Sequence, residues 1–132
     1  MKQAAKDIET LEDIENLVNT FYGFVRTDQL LGPVFDQRIE DRWPLHLEKM
    51  VRFWETVLLE KKTYFGAPFP PHATLPISAD HFERWLLLFY KAVNELFKGE
   101  IADEAKWRAD KMAIMFQNKL NYYKNSKTQP LV

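Results

Sequence analysis

The 132 residues weigh 15.7 kDa, too few to bury two independent cores, so the chain is expected to form one domain over 1–132. Eighteen Lys and Arg against nineteen Asp and Glu leave a net charge of −1 and a pI near 6.3, which supplies no basic excess for binding nucleic acid or an anionic membrane. The absence of cysteine excludes disulfides, thiol nucleophiles and thiolate metal sites.

The first nine residues carry Lys2, Lys6, Asp7 and Glu9 without an apolar run, so they read as neither a signal peptide nor a spanning segment. They are expected to form a flexible end of a soluble, cytoplasmic protein whose core covers about 10–124. Thr10 with Asp13 three residues on is a capping pattern, and Leu11, Ile14, Leu17, Val18, Phe21, Tyr22 and Val25 follow at helical spacing. A first long helix is predicted from about Thr10 to Thr27. Gly32 and Pro33 then punctuate the chain, leaving room for a turn or a short helical fragment.

A second long helix is predicted from near Asp41, with Pro44 in its first turn. Trp43, His46, Leu47, Met50, Trp54, Val57 and Leu58 form one stripe, while Glu48, Arg52 and Glu55 fall on the solvated side. Between Thr63 and Pro76 the prolines leave space for at most one helical turn, which carries His72. A third long helix is predicted from Ser78, as N-cap, to Gly99, as C-cap, with Phe82, Trp85, Leu86, Phe89, Val93, Leu96 and Phe97 on its apolar face. The fourth runs from about Ile101 to Tyr123 through Ala105, Met112, Met115, Phe116, Lys119 and Leu120, with Trp107 to one side, and the residues from 125 onward form a second flexible end. No strand alternation or internal repeat is present, so the class is all-α.

Enzyme signatures fail by inspection. There is no H-E-x-x-H, no G-x-S-x-G and no phosphate loop, because Gly23, Gly32, Gly66 and Gly99 stand alone. A di-iron carboxylate bundle wants Glu three residues before His, but His46, His72 and His81 are preceded there by Trp43, Phe69 and Ser78. Taken singly, His72 is a loop histidine, His46 a core imidazole, Tyr22 a core phenol and Trp85 a core indole; His81, near a helix start, takes a surface role. The aromatic load, ten Phe, five Tyr and four Trp, suggests that something flat is packed among the helices. Together these residues describe a pocket in which a neutral imidazole holds iron from one side while a phenol and an indole donate hydrogen bonds from the other.

Phe21-Tyr22, Leu31-Gly32-Pro33-Val34-Phe35, His46 through Phe53-Trp54, His72-Ala73-Thr74-Leu75-Pro76 and Phe82-Glu83-Arg84-Trp85-Leu86 resemble the truncated haemoglobins, specifically group III of these bacterial 2/2 globins. The missing Gly-Gly pairs fit that group. The resemblance implies a two-over-two helical sandwich enclosing haem b, with the four long helices as its B, E, G and H helices. It implies His72 as the proximal iron ligand, Tyr22 as the distal hydrogen-bond donor and Trp85 lining the distal side. His46 would stand at the distal gate, Met50 would line the pocket and Phe35 would pack against the haem face. Lys49, ahead of Arg52, would meet the haem propionates.

The function expected from this resemblance is reversible binding of dioxygen and of other diatomic ligands such as nitric oxide, with a reductase as a further partner. A peroxidase-like or nitric-oxide-detoxifying enzyme is the alternative, with His46 moving protons. A cofactor-free helical interaction protein is a second one, since composition alone does not separate it from a globin.

Overall fold

A computed structural model describes residues 5–62 and 77–125, with 123–125 described for the backbone only. Five helices appear among them: α1 (Leu11–Thr27), α2 (Leu31–Ile39), α3 (Trp43–Leu59), α4 (Ala79–Leu96) and α5 (Glu100–Asn125). No named strand occurs among the described residues, only an isolated bridge between Lys6 and Phe97. α1 packs on α2, α3 and α4, and α5 packs on α4 and α3. The pair α1 and α3 therefore lies against the pair α4 and α5, the two-over-two arrangement expected.

Local chemistry explains the boundaries. Thr10 caps α1 in a full capping box: the Asp13 N–H donates to Thr10 Oγ1 at 3.1 Å and the Thr10 N–H donates to Asp13 Oδ2 at 3.1 Å. Lys6 Nζ adds an ion pair to the same Asp13 oxygen at 2.6 Å. Gly32 and Pro33 do not break the chain but lie inside the first turn of α2, where a missing N–H costs little. Gly32 is there for a second reason: a Cβ would lie 2.8 Å from the Arg26 carbonyl oxygen, so only glycine lets α2 approach the end of α1.

Two expected features are corrected. α4 ends at the Phe97 cap rather than at Gly99; Gly99, at φ +148°, instead precedes α5, and its carbonyl accepts from the Asp103 N–H at 2.9 Å. Residues 6–9, placed in a flexible end, are tied down. Ile8 is buried, the Lys98 N–H donates to the Lys6 carbonyl, and Asp7 caps α5 from 94 residues away by accepting from the Ile101 and Ala102 N–H groups at 3.0 and 2.8 Å. Burial works to raise the Asp7 pKa, but backbone N–H groups of Ile101, Ala102, Ile8 and Glu100 outweigh it and hold the carboxyl below its ordinary value.

The core is divided. The main cluster includes Ile14, Leu17, Phe21, Tyr22, Trp54 and Phe89, and a smaller one gathers Ile77, Phe82, Ala113, Phe116 and Leu120 at the start of α4 and the far half of α5. On α5 the buried positions are Ala102, Ala105, Ala109, Ala113, Phe116 and Leu120, while Met115 and Trp107 face solvent. Small residues allow α5 to lie close along α4, which a search for large apolar side chains does not detect. No helix among the described residues is long and apolar enough to cross a membrane.

Candidate functional site

A cleft lies between the two core clusters. Its walls are almost wholly apolar. Phe21, Tyr22, Leu31, Phe35, Met50, Phe53 and Trp54 line one part, and Ile77, His81, Phe82, Met112, Ala113 and Phe116 the other, with Trp85 between them. Trp85 and Met112 pack against both clusters. The half-buried state of Phe35, Met50 and Trp85 follows from this: the inner side of each faces the gap rather than another side chain.

Tyr22 is the chemically distinctive wall residue. The capping box fixes the register of α1 and so turns Phe21 and Tyr22 inward together. The Tyr22 ring is held edge-on by Phe21 at 4.8 Å, His46 at 5.0 Å, Trp43 at 5.9 Å and Phe35 at 6.1 Å between centroids. It is 6% exposed, and burial alone pushes its pKa far above the ordinary phenol value, with no hydrogen bond contributing. The hydroxyl sits in a low-dielectric setting where a donated hydrogen bond is strong.

Trp85 is positioned by a stack. Its ring lies nearly parallel to Phe89 at 5.8 Å and 10°, and Phe89 in turn stacks on Trp54 at 4.9 Å and 22°. Phe21 closes the group edge-on against Trp85 at 5.6 Å and Phe89 at 5.2 Å. This four-ring block forms the floor between α1, α3 and α4.

The structure brings Tyr22, Phe35, Met50 and Trp85 to one cleft. The His46 ring meets Tyr22 edge-on, with Nε2 enclosed by protein, but His46 is not among the lining residues. Lys49 is exposed, and Arg52 pairs with Glu55 at 3.3 Å. Glu55, expected on the solvated side, is only 8% exposed and pairs with Arg52 one turn earlier. His72, like Phe69 and Leu75 beside it, lies outside the described residues.

His81 is corrected from a surface role to a half-buried position on the cleft wall. The Ser78 N–H donates to its Nδ1 at 3.1 Å, so the imidazole occupies the place of Glu in a capping box and, when neutral, carries its proton on Nε2. The Ser-x-x-His spacing was the available signal. Phe53, Phe82 and Phe116 were also missed as wall residues; on an apolar helix face nothing in sequence separates a ring that lines a gap from one that fills a core.

Asp28 locks the frame around the cleft. Its carboxylate accepts from the Leu30 and Leu31 N–H groups at 3.0 and 2.9 Å, starting α2, and from Arg84 on α4 at 2.8 Å. Burial raises its pKa, yet the Leu31 N–H, Arg84 and the Leu30 N–H together leave it below the ordinary carboxylate value. The folded state thus binds fewer protons than the unfolded one, and the stabilisation is present above the unfolded pKa, about 3.9, and lost as pH falls through the depressed folded value. Urea midpoints measured from pH 6 downward are expected to drop more steeply below about pH 4 in the parent chain than in Asp28→Asn; parallel curves would remove Asp28 from this role.

A flat, largely apolar macrocycle fits the lining: ring-lined walls with a phenol, an indole and the His81 imidazole as the nitrogen and oxygen groups, and no carboxylate, lysine or arginine among them. Comparison with known proteins agrees. The family model described as bacterial-like globin matches residues 7–118. The chain is 36% identical over 116 residues to the group 3 truncated hemoglobin ctb of Campylobacter jejuni, covering 85% of this chain and 91% of that one. Its fold matches the crystal structure of a group III truncated hemoglobin from Campylobacter jejuni with a TM-score of 0.81 at 34% identity, over 89% of this chain and 95% of the other. On fold, cleft and sequence together, the chain belongs to the bacterial-like globins and, within them, to the haem-binding group III truncated haemoglobins.

Proposed function

We propose that the cleft holds haem b and that the protein binds dioxygen reversibly, along with other diatomic ligands such as nitric oxide. The observation that carries this reading is Tyr22, a buried phenol on the wall of a largely apolar, ring-lined cleft. Haem, when bound, supplies the iron at which a diatomic ligand is held, with His72 as the protein's ligand to it. Tyr22 would offer its hydroxyl as a hydrogen-bond donor to a bound diatomic ligand, and Trp85 would offer an indole N–H, a group that only donates. Phe35 would pack against the haem face and Met50 would line the pocket, their apolar surface excluding water. His46, against Tyr22, stands at the distal gate. Of the two cations on the His46 helix, Lys49 ahead of Arg52 would meet a haem propionate. The reading makes this a cytoplasmic oxygen-binding protein, with a reductase as a further partner.

Titration of the protein with haem tests this. The expected result is a Soret band that saturates at one haem per chain and is lost, or reduced to loose non-stoichiometric binding, in His72→Ala. Saturation unaltered in His72→Ala would remove His72 as the ligand, and no saturable band in the parent chain would remove the reading.

A further inference from the structure

Trp43 opens α3 and lies behind the cleft wall rather than on it. It is 5% exposed and is gripped from two other helices. Its Nε1–H donates to Asp36 Oδ1 on α2 at 3.2 Å. The Arg26 guanidinium, in the last turn of α1, lies 4.4 Å from the indole centroid, and Arg26 Nε is 4.0 Å from the same Asp36 oxygen. Asp36 and Arg26 are half-exposed, so their mutual attraction is weak and salt-screened; the indole hydrogen bond is the specific contact.

The other side of Trp43 touches the two residues assigned to the distal site. Centroids lie 5.9 Å from Tyr22 and 5.8 Å from His46, and Tyr22 and His46 are themselves 5.0 Å apart with rings at 87°. Helical spacing produces this triangle: Tyr22 and Arg26 are four apart on α1, and Trp43 and His46 three apart on α3, so each pair shares one face. A single indole thus connects three helices to the mutual placement of a phenol and an imidazole.

We propose that Trp43, fixed by Asp36 and Arg26, is a positioning residue that sets His46 against Tyr22 and thereby sets how readily a diatomic ligand reaches the cleft. The proposal rests on Tyr22 and His46 forming the distal side. Its test uses the haem-loaded protein with carbon monoxide as ligand. Asp36→Ala is expected to raise the association rate after flash photolysis about fivefold and to shift and broaden the His46 imidazole signals in the NMR spectrum of the carbonmonoxy form. Asp36→Asn retains an acceptor oxygen and should stay within about twofold of the parent chain. Trp43→Phe, which keeps a ring but has no N–H, should behave like Asp36→Ala and decides the matter should Asp36→Ala fail to fold. Parent-like rates and signals in these variants would overturn the proposal, as would equal change in Asp36→Asn and Asp36→Ala. Tyr22→Phe separates the two levels. Altered ligand kinetics there, with parent-like behaviour in Asp36→Ala and Trp43→Phe, overturns the positioning role alone, whereas unaltered kinetics in Tyr22→Phe overturns the distal reading and the positioning role with it.

Discussion

Tyr22→Phe is expected to release dioxygen about tenfold faster than the parent chain, the loss of roughly 1.4 kcal/mol from one hydrogen bond to a polarised partner in a dry site. The substitution removes one oxygen and leaves the ring that packs edge-on against Phe21, Phe35, Trp43 and His46. Helix content and unfolding midpoint should therefore not fall, since a buried phenol without a hydrogen bond contributes nothing to stability that a phenyl ring lacks. Stopped-flow displacement of dioxygen reads the effect. An unchanged rate with unchanged stability would take Tyr22 out of the distal role.

The largest loss of stability is expected at Phe89. It is 1% exposed, stacks on Trp54 and Trp85 and meets Phe21 edge-on. Phe89→Ala should cost about 3–5 kcal/mol in urea unfolding, a large share of the roughly 5–15 kcal/mol that holds a domain folded. The cost carries a functional signature, because Trp85 and Trp54 both line the cleft and rest on the deleted ring. Haem should bind more weakly and the tryptophan fluorescence should shift to the red. A loss below about 1 kcal/mol would mean that the four-ring block does not support the floor of the cleft.

The sequence made the helices readable where chemistry is local. The Thr10 and Asp13 capping box, the apolar face from Ile14 to Val25 and the start of α4 at Ser78 all follow from neighbours within four residues. Contacts that close through space escaped. Asp7 caps a helix that begins 93 residues later, so nothing near residue 7 announces that role, and Gly99 looked like the end of α4 when its positive φ serves the approach to α5. Gly32 and Pro33 read as punctuation, since a helix breaker is also acceptable in a first turn and only the tight approach of α2 to the Arg26 carbonyl decides between the two.

The site was legible to a similar depth. Tyr22, Phe35, Met50 and Trp85 were singled out and do share one cleft. The placement of His46 beside Trp43 followed from a three-residue step on one helix face. The anchoring of Trp43 by Asp36 and Arg26 comes from two other helices and had no local mark. Glu55 was misplaced because spacing alone assigns a charge to solvent, without regard to the partners a buried carboxylate finds, Arg52 one turn away among them.

The most direct measurement of the central claim is the crystal structure of the haem-loaded protein. The account predicts porphyrin density between the two core clusters, with the Tyr22 hydroxyl and the Trp85 indole on one side of the ring and the His72 imidazole bound to iron on the other. Porphyrin lodged elsewhere, or iron held by a residue other than His72 with Tyr22 turned from it, would contradict the account.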